Sequence, residues 1–138
     1  MANLPLQGAR YDSRYDTWAV QVGGDVTIRT VAKISDASTN PCTVTTCGAG
    51  ENPYGVFEES VDYSEDGGRT SVIRNGIVVV TAAAAITNCT LPVKAAASGQ
   101  VTPVTTNNDI IVGYPLHTAD SGDLIAVDLK LMGGFYGA

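Results

Sequence analysis

Apolar and polar residues alternate in short runs along most of the chain, and each run ends in turn-forming residues. Trp18-Ala19-Val20-Gln21-Val22 alternates and is closed by Gly23-Gly24-Asp25. Val26 to Ile34 reads as one long strand, with Val26, Ile28 and Thr30 on one face and Arg29 and Val31 on the other. Thr43-Val44-Thr45-Thr46, Tyr54 to Glu58 and Val61 to Tyr63 read as short strands, with a hairpin loop at Ser64 to Arg69. Thr70 to Arg74 and Ile77 to Thr81 flank Asn75-Gly76, a dipeptide that suits a type I′ hairpin turn. Ile77 to Val80 is apolar at every position, which predicts a strand covered on both faces. Ala82 to Ala85 continues that strand or makes one helical turn, the only helix the pattern admits. Leu91 to Ala96, Gln100 to Val104 and Asp109 to Tyr114 are further strands. In the last, Leu124 to Leu131, Ile125, Val127, Leu129 and Leu131 face away from Leu124, Ala126, Asp128 and Lys130.

Short strands, regular turns and almost no helix predict an all-β fold, a small β-barrel or β-sandwich. With 138 residues the chain has room for one such core. The glycine-rich stretch Gly48 to Pro53 leaves too little chain on either side for a second. The expected organisation is an extended N-terminal arm over residues 1–16, one β domain over 17–132 and a flexible tail over 133–138. Val, Ile and Thr supply more than a quarter of the residues, a strand-building composition.

Charge narrows the choice of partners. Only 16% of residues are charged and the net charge is −6. A protein that grips nucleic acid needs a basic footprint, and an anionic membrane surface also attracts basic segments, so neither is expected as a partner. The longest apolar stretch, Ile77 to Ile86, is interrupted by Thr81 and is far short of the roughly 20 residues of a membrane helix. Residues 1–10 lack the basic start and apolar run of a secretory signal, so cytosolic synthesis is expected.

Candidate chemistry is sparse. Three cysteines close no disulfide framework, and reduced thiols are expected; a Cys42–Cys47 bridge across a hairpin is the main alternative. Cys42, Cys47, Cys89 and His117 match no zinc-finger spacing. Asn88-Cys89-Thr90 fits a glycosylation sequon in form only, given the missing secretory signal. His117, the one histidine, lies near Asp120 and Ser121, a grouping that any β protein can offer. Glu58-Glu59 straddles a strand end and points to opposite faces, and Glu65-Asp66 lies in a loop. Gly23-Gly24 and Gly67-Gly68 lack the following lysine and helix of a phosphate loop. With three Lys, five Arg and one His there is little titrating material for catalysis. The reading is therefore no enzyme, no cofactor and no metal.

The residue types that anchor interfaces lie near the ends of the chain. Arg10, Tyr11, Arg14 and Tyr15 fall in the arm, Trp18 stands where it ends, and Phe135 and Tyr136 are in the tail. These are the candidate contacts with a partner or a neighbouring copy, although the Trp18 ring itself reads as core.

From Gly76 to Leu131 the pieces follow a recognisable order. Gly76-Ile77-Val78-Val79-Val80 leads to Ala82-Ala83-Ala84-Ala85-Ile86-Thr87 and then to Pro92-Val93-Lys94-Ala95-Ala96-Ala97-Ser98-Gly99-Gln100-Val101-Thr102-Pro103-Val104. Ile111-Val112-Gly113-Tyr114-Pro115-Leu116, Ala119-Asp120-Ser121-Gly122-Asp123-Leu124 and Ile125-Ala126-Val127 follow. This order resembles the capsid cement, or decoration, proteins of tailed double-stranded DNA bacteriophages. Their strands read G-x-V-x-V, G-x-V-x-P, V-G-x-A-L and A-x-x-G-D-x-V-x-V. Asn88-Cys89-Thr90-Leu91 stands where that family has a glycine-containing turn, and Tyr114-Pro115-Leu116 where it has x-A-L. Residues 1–65 carry no matching motif.

The resemblance implies a β-tulip-like domain on the outer surface of a phage head, made in the host cytoplasm. It would bind the major capsid protein at capsomer junctions and associate with itself, as a homotrimer by preference or as a dimer. It brings no catalytic residues. Acidity suits an outward surface, since it repels DNA and other particles. Another virion component, in the tail or a fibre, is the first alternative; a small-ligand-binding barrel or enzyme is the last.

Overall fold

The computed structural model describes residues 15–66, 68–131 and 136. Nine strands carry nearly all of its regular structure, so the all-β expectation is met. They are β1 (Tyr15–Val22), β2 (Val31–Asp36), β3 (Thr43–Thr46), β4 (Gly55–Phe57), β5 (Arg69–Thr81), β6 (Val93–Ala95), β7 (Val101–Pro103), β8 (Gly113–Pro115) and β9 (Leu124–Leu129).

β1 takes β3 on one edge, in parallel, and β5 on the other, antiparallel. With β3–β2, β2–β4 and β4–β5 also paired, the first five strands form a ring of neighbours. The second half of β5 pairs with β9, and the order continues β9–β8–β6–β7. A single bridge, Ala82 to Val101, brings β7 back beside the end of β5. β5 is therefore a shared spine, its first half serving one ring and its second half the other.

The turn expected at Asn75-Gly76 does not form, because both residues lie inside the 13-residue β5. Asp16 pairs with Asn75 and Thr17 with Ile73, which leaves Arg74 as the extra residue of a β-bulge. Gly76, at φ +102°, adopts a backbone that other residues resist. Gly76 thus uses its φ > 0 freedom within a strand, and Asn75 does not. The Arg74 guanidinium donates to the Tyr54 carbonyl at 2.9 Å and lies 4.1 Å from the centre of the Tyr54 ring, which fixes the bulge.

The long strand expected from Val26 to Ile34 is also broken. Val26 makes only an isolated bridge to Val61, and Arg29 sits at φ +65°, so the continuous strand begins at Val31. Helical turns occur at α1 (Tyr63–Asp66) and in a short 3-10 turn over Ala97–Gly99, not at Ala82 to Ala85. The former occupies part of the stretch expected to be a plain hairpin loop. β1 starts at Tyr15, so two residues counted with the arm are strand residues.

Two packed cores lie under the two rings. Val20, Val22, Val44, Phe57, Val61 and Val72 lead the first. Val78, Val80, Val93, Val101, Ile125 and Val127 lead the second, which extends through Val31, Cys47, Val56 and Ile73 toward the first. Each fully buried Val or Ile contributes about 1.5–3 kcal/mol. Ile125, Val127 and Leu129 point inward as their alternation predicts. Gly113 is required by close approach: a Cβ there would overlap the Asp128 carbonyl and the Val127 side chain of β9.

Candidate functional site

The same alternation that fills the second core decides what is left outside it. In β5, Val78 and Val80 are 2% and 0% exposed, whereas Ile77 and Val79 are 48% and 42% exposed. This corrects the expectation that Ile77 to Val80 is covered on both faces. The register places Ile77 beside Asp128 and Asp128 beside Tyr114, with Val79 beside Ala126 and Thr81 beside Leu124. Leu116, just past β8, donates its N–H to the Ala126 carbonyl at 2.9 Å. Ile77, Val79, Leu124, Tyr114 and Leu116 are all exposed, and together they make one apolar outer face on three adjacent strands. Its charged pair, Asp128 and Lys130 at 3.3 Å, is internally balanced. Beside this face, a groove of about 300 Å³ runs between β5 and the loop at Ile28 and Arg29.

Trp18 adds a second contact element on the first ring. It pairs with Val72 on β5, but its ring is 61% exposed, which corrects its reading as core. The inward residues Val20 and Val22 are the β1 side chains that reach the core. Tyr15 stands opposite Gly76 at the start of β1. Arg10, Tyr11, Arg14 and Phe135 lie outside the described residues. Tyr136 is half-buried and anchored: its N–H donates to the Asp109 carbonyl at 2.8 Å, and its carbonyl accepts from the Asn108 N–H at 2.7 Å.

The loop that holds Tyr136 is itself clamped. The Asp109 carboxylate accepts from the Thr105 and Thr106 N–H groups, both at 2.9 Å, from the Thr106 hydroxyl at 3.0 Å and from Lys94 Nζ at 3.0 Å. These donors, the Thr106 and Thr105 amides foremost, hold its pKa well below the usual carboxylate range. Across a small cleft, Glu51 pairs with Lys33 and accepts from the Gly48 N–H, and its pKa is lowered by the same kind of contact.

Cys42 and Cys47 do not face each other across a hairpin. They flank β3, and five residue steps of extended chain separate them by roughly 16 Å. A disulfide needs Cα atoms within about 7 Å, so no bridge joins them within one molecule; Cys42, Cys47 and Cys89 are all free. Burial, reinforced by Glu51, pushes the Cys47 thiol up to about 11. His117 Nδ1 lies 2.9 Å from the Thr118 carbonyl, and its Nε2 accepts from the Ala126 N–H at 3.1 Å, so both ring nitrogens are engaged with backbone. Ser121 donates to the Ala83 carbonyl at 3.0 Å. His117 and Ser121 are thus tied separately to backbone rather than to each other.

The fold is similar to a solved one. The N base of head fiber gp8.5 in bacteriophage phi29 superimposes with a TM-score of 0.68 and 16% identity, over 87% of this chain and 98% of that one. At that identity the likeness is one of fold. No family model and no curated protein sequence matches the chain.

The arm and tail readings did not anticipate the face built from Ile77, Val79, Tyr114, Leu116 and Leu124. The signal was present in the run Ile77 to Val80 and in Leu124 on the otherwise polar side of its strand. Periodicity shows that such a residue has two faces; it does not show whether anything covers the second.

Proposed function

We propose that this chain is a structural protein of a tailed phage head, held on the outer surface of the capsid as a cement, or decoration, protein. The observation that carries the reading is the likeness in fold to the base of a phage head fiber, which extends over nearly the whole of that chain. The ordered strand motifs from Gly76 to Leu131 support it. So does the surface chemistry, with an apolar face and an open tryptophan on an acidic domain of low charge. Such a protein needs no catalysis: many weak copies on a symmetric lattice are strong together. The partners are the major capsid protein and further copies of this chain, with a trimer preferred. A head-anchored fiber base is the second reading, favoured by the neighbour itself.

The test is co-sedimentation of the purified chain with heads that lack it. Cement predicts binding in many copies over the whole head, and a fiber base predicts binding at few sites. Binding to tails alone, or to neither, would refute both. Trp18→Ala is expected to weaken head binding by about tenfold or more, as the loss of a tryptophan anchor does. Because the ring is exposed, fold stability should change by less than about 1 kcal/mol.

A further inference from the structure

We propose that the open edge of β5 is a strand-addition site, and that it receives residues 1–14 of a second copy of this chain. This rests on the self-association in the reading above and names the contact that would carry it.

The edge follows from the backbone. Ala126 directs its N–H to His117 Nε2 and its carbonyl to the Leu116 N–H, both on the β8 side. It therefore gives neither group to Val79, its neighbour across the β5–β9 ladder. In an antiparallel ladder the two residues of a non-hydrogen-bonded pair both turn N–H and C=O outward. Val79, and Ile77 in the same phase, thus point these groups away from β9. Thr81, also in that phase, finds a partner there, donating to the Arg29 carbonyl at 3.3 Å, while Ala82 donates to Asp123 on the β9 side. β4 pairs with β5 only at Val72 and Ile73. Between that pairing and Arg29, no strand among the described residues covers Ile77 and Val79. Their donors and acceptors open onto the groove walled by Ile28, Arg29, Phe57 and Glu58.

A bare edge beside exposed apolar side chains is a template for another strand. The groove, closed on its far side by the Arg29 loop, suits a single extended segment. Residues 1–14, outside the described residues, hold a sequence that would suit it. In Asn3-Leu4-Pro5-Leu6-Gln7 the two leucines fall at alternate positions, matching Ile77 and Val79 on the outer face. Pro5 lacks an N–H, which a strand accepts when it is itself an edge. Arg10 and Arg14 bring positive charge toward Glu58 and Glu59, whose carboxylates bond to the Ser71 and Thr70 hydroxyls.

Geometry favours a second copy over the chain's own segment. β1 and β4 meet β5 at the same residues from opposite sides, and the groove lies on the β4 side. Tyr15 therefore leaves the fold on the far side of β5 from the open edge. Its own segment would have to double back over the strand it has just left, whereas a neighbour's segment enters directly. Fourteen extended residues reach up to roughly 50 Å, enough to bridge adjacent copies. Donation in one direction around a ring closes a cyclic oligomer.

The experiment is amide hydrogen exchange by NMR on the full chain, with Val78 and Val80 as controls for an intact fold. In the wild type the Ile77 and Val79 amides should exchange about tenfold or more slowly than in Leu4→Asp/Leu6→Asp. Labelled double variant mixed with unlabelled wild type should regain protection, because the wild-type segment enters the variant's groove. Protection in the wild type without rescue in the mixture would assign the site to the chain's own segment and overturn the proposal. Equal exchange in wild type and variant, fast or slow, would also overturn it. Head co-sedimentation of the double variant reports on capsid binding separately.

Discussion

The two halves of β5 meet different surroundings: Val72 and Ile73 are both buried in the first, whereas buried and exposed residues alternate in the second. In the first half, Thr70, Ser71 and Arg74 lie outside the core, and each is polar and tied. Thr70 bonds to Glu59, Ser71 to Glu58, and Arg74 to the Tyr54 carbonyl and ring. At Ile77 and Val79 the outward side chains are apolar and exposed, although Val78 and Val80 beside them are buried. Folding accounts for the inward residues of both halves. It does not account for Ile77 and Val79, whose apolar surface stays in water until something covers it. The proposed contact at the second half rests on that contrast.

The largest expected effect separates inside from outside within one strand of that region. Ile125→Ala should destabilise the protein by about 2–5 kcal/mol in denaturant unfolding, through lost burial and a cavity. Leu124→Ala, one residue away on the outer face, should stay within about 0.5 kcal/mol. Equal losses at the two positions would mean that the outer face is part of the fold, and the contrast would fail. Next, Arg74→Ala removes one hydrogen bond and a cation–π contact at the bulge and should reduce stability by about 1–2 kcal/mol.

The smallest effect concerns acid. Folding lowers the pKa of Asp109 below its ordinary value of 3.8, so its contribution is complete above that value. The contribution fades as pH falls through the lower folded value. Protection of the Thr105 and Thr106 amides, taken relative to their intrinsic exchange rates, should therefore fall in the wild type below about pH 4. In Asp109→Asn that protection should already be low at neutral pH and change little further.

How much was legible beforehand follows the same division. β3 appears at the residues expected, and the inward set Ile125, Val127 and Leu129 was readable because alternation reports a face directly. The Asn75-Gly76 turn was misread because β1 lies opposite β5 there, and the strand accommodates the φ > 0 of Gly76 beside a bulge. The break at Arg29 depends on its backbone bond to Phe57, a contact 28 residues distant that no local pattern reveals. For the site, Trp18 is a candidate contact from the sequence, and its ring, expected in the core, is exposed. The β5–β9–β8 face was missed, since its exposure depends on which elements come near it. Two facts that sequence alone did not offer, a spine shared between two rings and the bare edge it leaves, are both consequences of topology.

The most direct measurement is hydroxyl-radical footprinting of Trp18, Tyr114, Leu116 and Leu124 in the free chain at high dilution and in assembled particles. The account predicts strong labelling of all four when free and a marked loss of labelling on the particle. Unchanged labelling of these residues on particles that carry the protein would contradict it.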